Sequence, residues 1–146
     1  MNRVTVDNIM TELASVVFSR YAVTASIRRF RCRETTEISP SPDYFIEPGR
    51  VAFLRRNVGA CLTNVNVRVC TETTVEYSNA ENAIKEIEEF YGNLARDLMA
   101  EPILPSTRAF LIAATTFSDA PACSSCAITL DGYAVVYGGV ELTYQI

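Results

Sequence analysis

The segment from Asn79 to about Ala100 constrains the fold most, because it is the longest and clearest helical pattern in the chain. Its apolar residues recur every three or four positions and form one stripe: Ile84, Ile87, Tyr91, Leu94 and Leu98. Such spacing is typical of a helix with one buried face. Ser78, with Glu81 three residues later, predicts a capping box at the start, and Pro102 predicts the end. A helix of this kind needs a second layer to cover its stripe.

The flanking segments predict that second layer. Helical spacing of apolar residues indicates a first helix over about Thr5–Tyr21, with Thr5 or Asp7 as its N-cap. Strands are predicted at 26–33, across 51–77 with a break near 57–59, at 109–117, 127–130 and 133–137, and from 140 to 146. The expected fold is α+β, an antiparallel sheet with two helices packed on one face, in a single domain spanning residues 1–146.

The clearest strand pattern lies within Cys61–Val69, where apolar and polar residues alternate. One face carries Thr63, Val65, Val67 and Val69, and the other carries Asn64, Asn66 and Arg68. This alternation predicts an antiparallel strand with one face buried and one face wet.

Proline and glycine predict where the strands are interrupted. Pro40 and Pro42 cannot take part in a regular ladder, and Pro48-Gly49 is a further turn signal, so we expect a Pro-rich loop at about 38–49. Asp131-Gly132 favours a tight hairpin. Gly138-Gly139 predicts a bulge or a turn before the final strand.

The composition argues against common catalytic chemistry. The chain has no histidine and a single lysine, Lys85, and histidine is the only side chain that ordinarily titrates near neutral pH. No glycine-rich phosphate loop or nucleophile elbow is present. The carboxylates of Glu86, Glu88 and Glu89 are typical of a solvated helix face. We therefore predict no catalytic, cofactor-binding or metal-binding residues, and a protein that is not an enzyme.

The five cysteines leave an alternative open. Cys123-Ser-Ser-Cys126 has the spacing of a zinc or redox pair, but zinc needs four ligands and a redox pair favours a helix start. The residues after Cys126 are patterned as a strand. Structural thiols in a reducing cytoplasm are the main interpretation, and a small cytoplasmic thiol or zinc protein is the alternative. A dimeric domain that binds a small molecule between sheet and helix is a third.

Charge is distributed unevenly along the chain. Residues 1–70 hold ten arginines and six acids, whereas residues 71–146 hold three basic residues and eleven acids, for a net charge of −4. The halves either form two electrically different faces or interleave and cancel. The basic segment Arg28–Arg33 suits either phosphate contact or an exposed strand that meets acids on a neighbouring subunit. The acidic total favours the second interpretation.

The order helix, strands, long helix, strands, ending in Val140–Ile146, resembles the tail terminator and neck proteins of tailed bacteriophages. The resemblance implies a hexameric ring in the virion tail or neck, made in the host cytoplasm, that joins the tail tube to the head connector. It implies no cofactor and no membrane, with nucleic acid present only as DNA passing through the ring lumen. The subunit and partner interface is then expected at the arginine strand and the Pro-rich loop: Arg28, Arg29, Arg31, Arg33, Pro40, Pro42, Asp43 and Tyr44.

Overall fold

A computed structural model describes residues 4–28, 42–57, 59–119 and 133–146. Their elements, in chain order, are α1 (Val6–Tyr21), β1 (Ser26–Ile27), β2 (Asp43–Asn57), β3 (Ala60–Glu76), α2 (Ala80–Ala100), β4 (Phe110–Asp119) and β5 (Tyr133–Gln145). A single 3₁₀ turn, Tyr77–Asn79, leads into α2. The fold is α+β, as the sequence pattern predicts.

The strands form one five-stranded sheet in the order β1-β2-β3-β5-β4. Every neighbouring pair is antiparallel except β1 and β2, which run parallel. The sheet is therefore mixed rather than wholly antiparallel as predicted. Parallel neighbours need a long crossover connection, and the stretch of chain between Ile27 and Asp43 is long enough to provide one.

Both helices pack on the same face of the sheet, and the core lies between them and the strands. Packing of α1 is against β1, β2 and β3, and packing of α2 is mainly against β4 and β5. The helices also touch each other, since Tyr21 of α1 donates a hydrogen bond to the Asp97 carboxylate of α2. Four residues of the predicted stripe on α2 are buried, and only Ile84 is partly exposed.

The alternation predicted for the third strand is confirmed. Val65, Val67 and Val69 are at most 1% exposed and face the helices. The opposite face carries cross-strand polar pairs between β3 and β5: Asn64 with Gln145, Asn66 with Thr143, and Arg68 with Glu141. One face of the sheet is thus dry and the middle of the other is polar.

The predicted caps were right for one helix and wrong for the other. Thr5 caps α1 by accepting from the Asn8 backbone N–H, and the Asn8 side chain accepts from the Thr5 N–H in return. The capping box predicted at Ser78 does not form. The chain enters α2 through the 3₁₀ turn, which makes Asn79 the N-cap, and no side chain bonds there.

The predicted loop at 38–49 is wrong over its described part. β2 begins at Asp43 and runs through Pro48 and Gly49, which sit at a bulge where the pairing register with β3 shifts. Proline is tolerated there because β2 is near the edge of the sheet and a bulge leaves a residue unpaired. A Cβ on Gly49 would lie 2.8 Å from the Cβ of Asn66, so the bulge needs glycine.

The turn or bulge predicted at Gly138-Gly139 is also wrong. β5 passes through both glycines with unbroken pairing to β3. Close approach explains them, because a Cβ on Gly139 would come within 2.1 Å of the Val69 carbonyl oxygen. The predicted final strand is confirmed as the second half of β5, and the Ile146 N–H donates to the Thr63 carbonyl at 3.0 Å.

Several predictions fall outside the described residues. These are the strand beyond Arg28, the loop before Pro42, the strand at 127–130, the Asp131-Gly132 hairpin and the Cys123/Cys126 pair. The first of these is described only at its start, since β1 covers Ser26 and Ile27 and Arg28 follows it.

Candidate functional site

Half of the predicted interface residues lie within the described residues: Arg28, Pro42, Asp43 and Tyr44. The others, Arg29, Arg31, Arg33 and Pro40, lie outside them. The structure joins Arg28 to Asp43 by an ion pair with 2.5 Å between Nη2 and Oδ2. The Arg28 guanidinium also lies 4.8 Å from the centroid of the Phe45 ring. Arg28 is thus held against β2 by its own chain, with a side chain that is 35% exposed.

The other two described residues of that set line a pocket of about 270 Å³ between α2 and the sheet. Pro42 lies at its rim, and the Tyr44 ring lies 5.6 Å from the Phe90 ring of α2. Burial, together with the nearby Glu86 carboxylate, raises the pKa of Tyr44. Tyr44 is therefore a neutral hydroxyl at physiological pH, beside one carboxylate and several aromatic rings.

A second cluster, which the sequence analysis did not predict, lies on the face of the sheet away from the helices. The Tyr137 hydroxyl donates to the Glu47 carboxylate at 3.2 Å and lies 3.4 Å from the Cys70 sulfur. Arg68 approaches the same carboxylate at 3.8 Å. Cys70 is fully buried, which denies its thiol the access that a nucleophile needs. This cluster has the character of a structural network.

Phe53 has the most exposed large apolar side chain of the described residues. It lies near the end of the β2–β3 hairpin. β5 pairs with β3 only as far as Asn64. Residues 53–57 and 59–63 therefore extend beyond β5 and, within the part of the chain that the structure describes, pair only with each other, apart from the bond between Thr63 and Ile146. We call these two stretches the hairpin arm. Within it, Phe53 is 72% and Leu54 is 47% exposed.

Exposed apolar side chains on such an arm indicate a contact surface. An isolated two-stranded hairpin is marginally stable in water, and contiguous exposed apolar groups commonly mark interaction sites. The sequence holds one signal for this arm: from Val51 to Leu54 four apolar residues follow each other, where a half-buried strand would alternate. Exposed Arg50 and Arg55 lie close to both ends of that run.

The uneven charge along the chain becomes an excess of acids on one side of the fold. The sheet order places β1, β2 and β3, with α1, on one side, and β5 and β4, with α2, on the other. Among the described residues, those up to position 70 carry six arginines and four acids, and those from 71 onward carry three basic residues and ten acids. Because β3 also carries Glu72 and Glu76, the side made of α1, β1, β2 and β3 holds six arginines and six acids among the described residues, whereas the side made of α2, β4 and β5 holds an excess of acids. The first side is therefore close to neutral and the second is acidic.

The acidic side chains of the described residues do not converge on a metal site. No three cysteine, aspartate or glutamate side chains there are grouped to hold a metal ion. Glu86, Glu88 and Glu89 are exposed on α2, and Glu88 accepts a hydrogen bond from Ser118. Neither described helix is long and apolar enough to cross a membrane.

Comparison with known proteins places the chain in no group. No protein-family model matches the sequence. No curated protein matches it with significant similarity either.

Proposed function

We propose that this protein is a structural subunit of a tailed-bacteriophage virion, a ring-forming tail terminator or neck component. In that role it joins the tail tube to the head connector, and DNA passes through the lumen of the ring. The observation that carries the proposal is the hairpin arm, which exposes Phe53 and Leu54 at one end of the sheet. Exposed apolar side chains on such an arm fit contact with another protein subunit better than binding of a small substrate.

Two further observations support an assembly role. The exposed arginines of β2, Arg50 and Arg55, and the exposed acids of α2 suit a head-to-tail contact between identical subunits, in which unlike charges face each other. The polar pairs between β3 and β5 lie on the face of the sheet away from the two described helices. A face of this kind is suited to line a water-filled lumen.

The test is the mass and shape of the reduced, untagged protein. Light scattering on the size-exclusion peak measures the mass, and negative-stain imaging of the same fraction shows the shape. We expect a closed ring, with six subunits as the leading expectation. A monomer that turns over a substrate or carries stoichiometric zinc would contradict the proposal. Zinc analysis of wild type beside Cys126→Ser separates the zinc alternative, because only a true site loses its metal in the variant.

The pocket beside Tyr44 favours a second candidate, a domain that binds a small molecule between sheet and helix. Its aromatic walls and the Glu86 carboxylate fit a small cationic or hydrogen-bonding ligand. A saturable rise in melting temperature with such a ligand, lost in Glu86→Gln, would support this candidate. The same rise in the variant would place the ligand elsewhere.

A further inference from the structure

The pocket beside Tyr44, which we call the aromatic pocket, has a wall of rings that the fold itself holds in place. The centroid of the Phe90 ring lies 5.6 Å from that of Tyr44 and 4.9 Å from that of Tyr91, and the ring planes are inclined by 58° and 86°. The Tyr91 hydroxyl is hydrogen-bonded to Thr71, and Tyr21 packs edge-on against Phe90 at 5.2 Å. Rings held in this way lose little freedom when a ligand binds.

Two polar groups without a protein partner accompany this wall. Glu86 precedes Phe90 by four residues on α2, a spacing that places the carboxylate and the ring one turn apart on the same face of the helix. Within the described residues Glu86 forms no ion pair or hydrogen bond, whereas Glu88 of the same helix is bonded to Ser118. The Tyr44 hydroxyl likewise makes no hydrogen bond to a described residue. The aromatic pocket therefore combines an unpaired negative charge with apolar rings.

The positive groups nearest in the sequence are engaged elsewhere. Among the described residues that line the aromatic pocket, none is basic. Asp43 and Tyr44 are successive residues of β2, so their side chains point to opposite faces of the sheet, and Arg28 pairs with Asp43. Lys85 of α2 pairs with Glu81 at 3.7 Å. The carboxylate of the pocket is thus available to a cationic ligand.

Size and ring geometry narrow the class of cation. The volume of about 270 Å³ is just below the about 300–1,000 Å³ typical of sites for drug-sized ligands, so the ligand has few heavy atoms. A cation is attracted to the electron-rich face of an aromatic ring, and substituted ammonium groups are commonly bound in this way. Because the rings are inclined to one another, they suit a rounded head group better than a planar one that stacks on a single ring.

The larger groove between α1 and the segment after α2 lacks these features, although its volume is about 800 Å³. Its described lining contains no aromatic ring. Its charged groups already have partners, since Arg20 pairs with Glu101 at 2.5 Å and Glu12 accepts from Ser106 and Thr107. The aromatic pocket is therefore the better site for a charged ligand.

We propose that the aromatic pocket binds a small organic cation with a substituted ammonium head. The head lies against the rings of Tyr44 and Phe90, and the Glu86 carboxylate balances its charge. Such a ligand gives the second candidate function its chemical class, and the proposal rests on that candidate for the presence of a binding site. It does not depend on self-association, so the virion role is tested separately.

The experiment titrates the full chain with choline and, separately, with its neutral carbon analogue, in which a tert-butyl group replaces the trimethylammonium group. Ligand-observed NMR at constant ionic strength gives the Kd of each. Glu86→Gln removes the charge, and Phe90→Leu removes one ring. Glu89→Gln is the matched control, because Glu89 is an exposed acid of α2 outside the lining of the pocket. Circular dichroism checks the fold, and Tyr44→Leu takes the place of Phe90→Leu if that variant is unfolded.

We expect wild type and Glu89→Gln to bind choline with a Kd of about 1 mM or lower. The neutral analogue should bind at least about fivefold more weakly, because it has neither the cation–π attraction nor the charge pair. Glu86→Gln should weaken the binding of choline by about two- to fivefold, since solvent screens an exposed pair, and should leave the analogue unchanged. Phe90→Leu should weaken choline by a similar factor.

Other results would overturn the cation site. Equal affinity for choline and the analogue would overturn it, and if Phe90→Leu weakens both ligands, the small-molecule candidate still stands. Choline binding that neither variant weakens would place the cation elsewhere on the protein. No binding of choline up to about 10 mM would also overturn the proposal. In that case a neutral ligand that raises the melting temperature would still support the small-molecule candidate.

Discussion

Gly138 of β5 lies directly under Ile87 of α2, so closely that a Cβ on the glycine would come within 2.5 Å of the Ile87 Cγ2 atom. This contact sets the distance between the long helix and the sheet. The neighbouring Gly139 faces the other way and lies against the backbone of β3 at Val69 and Cys70. The two glycines let the helix and the neighbouring strand approach β5 from different directions.

Adding a methyl group at either glycine should destabilise the fold. Gly138→Ala should cost about 1–3 kcal/mol, typical of an overpacked site, and Gly139→Ala should cost more because its neighbours are backbone atoms that cannot rotate away. Urea denaturation measures both. Gly92→Ala is the control, since nothing lies within 4 Å of its added Cβ and alanine favours a helix by about 0.5–1 kcal/mol. Equal loss in all three variants would contradict the packing argument.

The hydrogen bond between Thr71 and Tyr91 should stabilise the fold mainly because it satisfies two buried hydroxyl groups. The oxygens are 2.5 Å apart, and both residues are at most 2% exposed. Tyr91→Phe should cost about 1–3 kcal/mol, because it leaves the Thr71 hydroxyl without this partner. Adding Thr71→Val to that variant should recover part of the loss, since replacing both partners with apolar groups is nearly neutral. A double-mutant cycle in urea measures the coupling, and strictly additive losses would contradict it.

Glu12 of α1 should stabilise the segment after α2 in a pH-dependent way. Its carboxylate accepts from the backbone N–H groups of Ser106 and Thr107 at 2.6 and 2.9 Å. Partial burial alone would raise the pKa of Glu12, but these bonds and the Thr107 hydroxyl outweigh it and lower the pKa. A lowered pKa gives stability that is present above the value of free glutamate and is lost as the pH falls through the folded value.

Glu12→Gln should therefore lower the free energy of unfolding by about 1–2 kcal/mol at neutral pH, a figure that allows for solvent screening. The difference from wild type should shrink in acid. Urea denaturation measures the free energy of unfolding of both proteins at about pH 7 and at about pH 3. These two pH values lie on either side of the usual pKa of a carboxyl group. Glu81→Gln is the control, since Glu81 makes a distant, exposed pair with Lys85, worth about 0.5 kcal/mol or less. A difference that does not change with pH would contradict the role of the charge.

The sequence predicted the elements whose pattern is local. The stripe on α2 and the alternation in β3 follow from spacing alone, and both are confirmed. Pro48 and Gly138 misled the prediction because each was interpreted as a local breaker. Their roles depend on neighbours in space: Pro48 is tolerated at an edge bulge, and Gly138 makes room for Ile87.

The candidate site was less predictable for the same reason. Which of the apolar residues after Val51 are exposed depends on where β5 stops, and β5 lies far away in the sequence. The excess of acids on the side of α2, β4 and β5 depends on the strand order, which no local pattern determines. Tyr137, Glu47 and Cys70 meet only because three strands align in register.

Tyr21 should make the protein less stable at alkaline pH. Burial, followed by the hydrogen bond to the Asp97 carboxylate and its charge, raises the pKa of Tyr21 to about 12. A raised tyrosine pKa gives stability that is complete below the value of free tyrosine, near 10, and is lost as the pH rises through the folded value. Burial also raises the pKa of Tyr91 and Tyr144. The free energy of unfolding should therefore fall above about pH 10.

The slope of that fall identifies the contribution of Tyr21. One proton per molecule corresponds to about 1.4 kcal/mol per pH unit. Tyr21→Phe should reduce the slope between about pH 10 and 12 by less than that amount, because Tyr21 is partly exposed and solvent screens the interactions that shift its pKa. Asp97→Asn should reduce it by less, because burial still raises the Tyr21 pKa when the carboxylate is gone. Urea denaturation across this range measures the slope of each protein. An unchanged slope in Tyr21→Phe would mean that the hydroxyl of Tyr21 ionises equally easily in the folded and unfolded chains.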